Sequence, residues 1–247
     1  MTVIDIHAHI WGGRIPEGKR LILEAMERYG IERVYVSGLQ DLVSDETQVE
    51  YLNQSVAQFM QENPTQIGGA VYVNPTHRNV LDVLKRATQD QGFEMIKLWC
   101  CTLADDPSVD PIMEYACENG IPVLFHVFKK QDGQLPNESQ GKDLRNVALR
   151  HPKTKIIMAH FGGSCYDGVP CIRDLPNVWA DQSGSPFHRN ELEYAVENLG
   201  AERVLFGTDN CFVSNIAQVI ASDLTPQQRE MIFSGNARKI LDRNYRI

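Results

Sequence analysis

The stretch VIDIHAHIWGG, residues 3–13, places two histidines one residue apart at the end of an apolar run. Val3, Ile4 and Ile6 read as a buried strand, and side chains i and i+2 of a strand point to the same face. His7 and His9 therefore project together at the strand's C-terminal end, just before a Gly12-Gly13 turn. Hydrophobicity gives no reason for such a pair. Two imidazoles side by side are a metal clamp or an accident, and the rest of the chain decides between them.

Working outward, the first run (Val3–His7) is followed by seven more: Arg33–Ser37, Ile67–Val73, Glu94–Trp99, Pro122–Val127, Lys155–His160, Val178–Gln182 and Val204–Gly207. Segments such as IIMA, PVLF and VLFG are continuously or nearly continuously apolar, which suits strands of a parallel sheet buried on both faces. Helix-period segments lie between them: Leu21–Tyr29 with Gly30 as its stop, Val49–Gln61, Val80–Ala87, Ile112–Glu118, Leu144–Leu149 and Glu191–Leu199. Near the C-terminus Thr225, Pro226 and Gln228 form a capping box. Strand–helix alternation of this kind over 247 residues predicts an α/β protein, a (β/α)8 TIM barrel forming a single domain over residues 1–247. An open doubly wound sheet is the alternative, and the lack of a glycine-rich phosphate fingerprint before the first helix weakens it. KKQDGQLPNESQG, residues 129–141, reads as a long polar loop after the fifth strand, a lid or a substrate wall.

The formal charge of −8 and the pI near 5.4 argue against nucleic acid or an anionic membrane as partner, but leave room for a small-molecule substrate, anionic ones included. A homo-oligomer is compatible with the sequence. No apolar run approaches the ~20 residues of a membrane span, and no secretory signal opens the chain. The six cysteines include no CxxC pair, so they read as reduced thiols of a cytoplasmic protein.

The metal-type side chains fall on the strands in a pattern. His7 and His9 end the first strand, Lys97 sits inside EMIKLW, His126 ends PVLFHV, His160 ends KIIMAHFGG, and Asp209 follows the eighth strand in VLFGTD. Each alone would pass for a structural residue. Together, four of the seven histidines, one strand lysine and one strand-end aspartate fall at a single barrel mouth, where catalytic groups assemble.

With DIHAHI, IKLW, LFHV, AHFGG, LFGTDN and the closing GNARKIL in this order, the chain resembles the amidohydrolase superfamily over essentially its whole length. The likeness is to the amidohydrolase-related branch that includes aminocarboxymuconate-semialdehyde decarboxylase and various lactonases. The resemblance implies a (β/α)8 barrel with one or two divalent metals. His7, His9, His126 and Asp209 would be the core ligands, and His160 a second-metal ligand or a catalytic group. Lys97 stands where some members carry a carbamylated lysine bridging two metals, while other members use one metal and no bridge.

Imidazole and carboxylate ligands suit Zn²⁺, with Mn²⁺, Fe²⁺ and Co²⁺ as alternatives. The expected activity is hydrolysis of a small amide, lactone or related cyclic substrate by metal-activated water. Asp209 would take and return the proton, and His160 would polarise the substrate carbonyl. The alternative is a metal-dependent, non-oxidative decarboxylase of a small, muconate-like or aromatic carboxylic acid. Trp11, Arg14, Trp99 and His188 are the candidate substrate contacts: Trp11 and Trp99 as walls, Arg14 as a carboxylate clamp. His77 and His151 read as structural, and Cys100, Cys101, Cys165 and Cys211 as packing residues.

Overall fold

The computed structural model describes residues 2–184 and 188–247. Eight strands follow one another in chain order: β1 (Val3–Trp11), β2 (Ile31–Leu39), β3 (Ile67–Tyr72), β4 (Met95–Leu98), β5 (Val123–Phe125), β6 (Ile156–Met158), β7 (Val178–Asp181) and β8 (Val204–Leu205). Each is parallel to its predecessor. The ring closes where Ile6 N–H donates to the Phe206 carbonyl (3.1 Å) and Asp209 N–H to that of His7 (2.6 Å). The Asp5 carboxylate clasps the same seam, accepting from Thr208 Oγ1 (2.5 Å), Thr208 N (3.0 Å) and His7 N (3.0 Å). The chain is thus a (β/α)8 barrel.

Alternating strand residues serve two cores. Ile4, Ile6, Tyr35, Met95, Leu124, Ile157 and Leu205 fill the barrel interior. Ala8, Ile10, Val34, Val36, Ile96 and Val123 face outward under the helices. The helices are α1 (Ile15–Tyr29), α2 (Glu46–Glu62), α3 (Val80–Lys85), α4 (Asp110–Asn119), α5 (Gly141–Arg150), α6 (Cys165–Ile172), α7 (Glu191–Leu199), α8 (Phe212–Ala221), α9 (Pro226–Glu230) and α10 (Asn236–Leu241). The last one explains the closing GNARKIL motif: Ala237 and Ile240 of α10 plug the interior core at the strands' N-terminal ends.

All eight expected strands form. β1 runs on to Trp11, because His7 and His9 alternate with the buried Ala8 and Ile10. α1 starts at Ile15, earlier than expected, with Pro16 in its first turn, and ends at Gly30 in the left-handed region (φ 67°). The capping box at Thr225 and Gln228 forms as read. Periodicity missed three helices, α6, α8 and α10. α8 carries no charged residue and exposes Val213 and Ile220, α6 contains Pro170, and α10 spans only six residues.

The polar loop after β5 packs back on the barrel. Phe128 N–H donates to the Ser139 carbonyl (2.8 Å), Gln134 Nε2 to that of Phe128 (2.8 Å), and Glu138 is 4% exposed.

Candidate metal centre

Four imidazoles touch in sequence at the C-terminal mouth. Ring centroids lie 4.9 Å apart for His7 and His9, 5.1 Å for His7 and His160, and 5.0 Å for His126 and His160. His7 Nε2 and His9 Nε2 face each other at 3.0 Å, and Asp209 Oδ1 is 3.1 Å from His9 Nε2. Donor atoms of His7, His9 and Asp209 all lie within 4.8 Å of one another, which is the ligand trio expected from β1 and β8. Lys97, fully buried, places Nζ 2.9 Å from His7 Nε2. His126 joins this group through His160, its Nδ1 lying 3.2 Å from His160 Nε2.

The outer edge of each ring shows which nitrogen carries hydrogen. His126 Nε2 donates to Glu138 Oε1 (3.1 Å), and His160 Nδ1 to the Ser183 carbonyl (3.1 Å); both acceptors lack hydrogen. His126 Nδ1 and His160 Nε2 therefore confront each other as two lone pairs, an arrangement a cation between them would relieve. His7 Nδ1 donates to Asp181 Oδ2 (2.9 Å), which leaves its Nε2 lone pair facing the mouth. His9 Nδ1 meets Ser37 Oγ (2.8 Å), a hydroxyl that suits either tautomer. Metal-binding histidines are oriented by such outer partners, so the donor set fits a divalent ion held by imidazoles and Asp209.

Electrostatics favour the same assignment. Burial, and then Lys97, hold His7 well below the usual imidazole value; burial and His126 bring His160 down to about 4. Neutral rings are what a metal needs. Burial opposes ionisation of Asp209, but the hydrogen bond and charge of His9 outweigh it and hold the carboxyl well below its usual range. Burial pushes the Lys97 ammonium down to about 8, against the pull of Asp209 and Asp181.

The backbone is bent to present these groups. His160 and Phe161 are left-handed (φ 60° and 46°), followed by Gly162 and Gly163 (φ 79° and 86°). Any side chain at position 163 would drive a Cβ to 2.7 Å from Lys129 N, which explains the second glycine of AHFGG. Asp209 and Asn210 are also left-handed (φ 49° and 64°). The Asn210 amide ties that turn to β1, accepting from His9 N (2.9 Å) and donating to His9 O (2.8 Å).

Trp11, 40% exposed, stands beside the trio, its ring 5.9 Å from that of His9 and 5.8 Å from that of Trp99. The two tryptophans thus form one aromatic wall. Arg14 caps the start of α1, exposed and without a side-chain partner among the described residues. His188 stands apart from the imidazole cluster, its ring 5.4 Å from that of Tyr166. His77 and His151 are also elsewhere, beside Asn74 (3.1 Å) and Asp110 (2.8 Å). Cys100, Cys101 and Cys165 are buried.

Four residues that bond the imidazole cluster or close the barrel beneath it escape a reading of strand ends for metal-type side chains: Asp5, Glu138, Asp181 and Ser183. Asp181 ends β7 in VWAD as clearly as His160 follows β6, so its position was a usable signal. Glu138 carried none, because only the fold-back of the loop after β5 brings it to His126.

No curated protein matches the sequence. Among solved structures, an uncharacterised TIM-barrel protein from Bordetella bronchiseptica is similar at 18% identity, covering 98% of this chain and 99% of that one, with a TM-score of 0.77. 2,6-Dihydroxybenzoate decarboxylase from Rhizobium is similar at 19% identity, covering 98% of each chain, with a TM-score of 0.74. A Polaromonas dihydroxybenzoic acid decarboxylase, solved with manganese and 2-nitroresorcinol, is similar at 18% identity, covering 98% of this chain and 97% of that one, with a TM-score of 0.75. These likenesses establish the shared barrel. No helix among the described residues is long and apolar enough to cross a membrane. The amidohydrolase family model matches residues 4–243, nearly the entire sequence, and the chain belongs to that family.

Proposed function

We propose that the protein is a metal-dependent, non-oxidative decarboxylase of a small planar carboxylic acid. The observation that carries this reading is the aromatic wall of Trp11 and Trp99 set against the cluster of His7, His9, Asp209, His126 and His160. Two of the similar barrels are dihydroxybenzoate decarboxylases, which supports the choice of reaction. Zn²⁺ or Mn²⁺ suits the mixed imidazole and carboxylate donors, and the bound ion would supply Lewis acidity toward substrate oxygens.

The remaining work belongs to the chain. Trp11 and Trp99 hold the planar body of the acid. Arg14, at the mouth, draws the carboxylate in by charge. Loss of carbon dioxide replaces a C–C bond by a C–H bond, so one proton must reach the carbon. The substrate enters as a carboxylate and carries no acid proton, so Asp209, with its side chain 31% exposed, relays one from solvent water to the carbon as carbon dioxide leaves. His160, neutral, faces the cluster with its Nε2 lone pair.

Hydrolysis of an amide or lactone is the second reading. The ionised Asp209 favours it, because the same carboxylate can accept a proton from attacking water and pass it to a leaving group. Headspace carbon dioxide, measured against acid release over a panel of aryl acids and lactones, separates the two. Carbon dioxide in step with loss of an aryl acid supports decarboxylation. Acid release from lactones with no carbon dioxide from any acid refutes it.

A further inference from the structure

Asp181 ends β7 fully buried, and its carboxylate receives four hydrogen bonds. Oδ1 accepts from His160 N (2.9 Å), Ser183 N (3.0 Å) and Ser183 Oγ (2.5 Å), while Oδ2 accepts from His7 Nδ1 (2.9 Å). The single hydroxyl hydrogen of Ser183 is thereby committed to Asp181. Its oxygen can then only accept, and it lies 2.8 Å from His7 Nδ1 and 2.9 Å from His160 Nδ1. Both imidazoles meet acceptors alone on their Nδ1 side.

We propose that Asp181 is a positioning residue that locks His7 in the Nδ1–H tautomer directly and, by holding the Ser183 hydroxyl hydrogen, leaves His160 Nδ1 only acceptors to meet, so that both Nε2 lone pairs point into the barrel mouth. Through His160 N the same carboxylate also anchors the left-handed turn that presents that ring. One residue thus aligns two imidazoles that arrive from different strands. The lock itself does not require a metal; its effect on metal affinity rests on the metal reading above.

Asp181→Asn makes a directional test. Three donors converge on Oδ1, so the amide oxygen must occupy that place and the amide nitrogen must face His7. An N–H aimed at His7 Nδ1 forces the hydrogen onto Nε2, where it blocks the inward lone pair. Ser183→Ala is the milder variant: His7 keeps Asp181 Oδ2, and His160 keeps the backbone carbonyl at position 183.

The readout is long-range ¹H–¹⁵N correlation of the imidazole nitrogens in full-length protein stripped by chelator, with Zn²⁺ affinity from chelator competition alongside. His7 is assigned by the loss of its signals in His7→Asn. The wild-type protein is expected to show Nδ1–H at His7 and His160, and Asp181→Asn to show Nε2–H at His7 with about 10–100-fold weaker Zn²⁺ binding. Ser183→Ala should keep both tautomers. Nε2–H at His7 in the wild type overturns the lock without recourse to any variant, and so does an unchanged His7 tautomer in folded Asp181→Asn. An inverted tautomer with no Zn²⁺ affinity even in the wild type would uphold the lock and refute the metal reading. An inverted tautomer with undiminished Zn²⁺ binding would overturn the role of the lock in metal affinity.

Discussion

The two ends of the barrel treat buried polar groups in opposite ways. At the floor, Lys155 Nζ donates to the carbonyls of Ile240 (2.8 Å) and Asp242 (2.7 Å), and Asn236 Nδ2 to those of Ala201 (2.7 Å) and Val204 (2.8 Å). Donors there meet acceptors, and the apolar plug of α10 covers them. At the mouth, lone pair faces lone pair at His126 and His160. All five non-glycine residues with positive φ among those described (His160, Phe161, Asn190, Asp209 and Asn210) lie in segments following strands, on the mouth side. Such conformations cost of order 1–3 kcal/mol each and persist only where surrounding structure enforces them. The floor holds the fold; the mouth accepts strain to aim side chains.

Substitutions at the two ends should therefore separate activity from stability. Asp209→Asn at the mouth is expected to lower kcat by about 10²–10⁴-fold, with the melting temperature little changed. Steady-state rates and a thermal melt on one preparation check this. A matching loss of stability would merge the two regions.

Ile240→Ala at the floor should do the reverse. The side chain is fully buried against the interior core, and its truncation costs about 2–5 kcal/mol in chemical denaturation. Metal content and kcat should stay at wild-type level.

The division of labour also marks what the sequence could reveal. Apolar runs announced the eight strands because both faces of a parallel barrel strand are buried. His7, His9, His126, His160 and Asp209 were legible because strand ends are countable from those runs. The partners that orient them were not. Ser183 acts through contacts made only when segments distant in the chain close on one another, Glu138 through the fold-back of its own loop onto His126, and polar residues in loops carry no period. Asp181 is the exception, since it ends a strand already recognised, where its position was as usable a signal as that of His160. The uncharged α8 and the proline-bearing α6 were missed although their apolar residues keep a helical spacing: α8 lacks the charged residues that mark a solvent face, and Pro170 sits inside α6.

Glu138 sharpens the comparison, since it is a mouth residue whose hydrogen bonds are satisfied. Burial raises its pKa, but hydrogen bonds from His126, Lys130 and Leu135 N–H outweigh this and bring it from an ordinary 4.5 to about 2. A carboxyl depressed in the folded state contributes stability above its unfolded value, and that contribution is lost as pH falls through the folded one. Between pH 4.5 and about 2 the wild type should therefore lose stability more steeply than Glu138→Gln. Parallel acid-unfolding curves would remove Glu138 from the account.

The smallest effect belongs at a site remote from the chemistry. Thr225 caps α9 by accepting from Gln228 N, and Thr225→Ala should cost about 0.5–2 kcal/mol with unaltered kcat. Equilibrium denaturation alongside an activity assay checks both halves.

Anomalous diffraction from crystals grown with Zn²⁺ or Mn²⁺ reads directly whether the imidazoles and Asp209 grip a cation. A strong peak is expected at the barrel mouth, within bonding distance of His7 Nε2, His9 Nε2 and Asp209. A peak elsewhere with that cluster empty, or none at saturating metal, would contradict the metal reading.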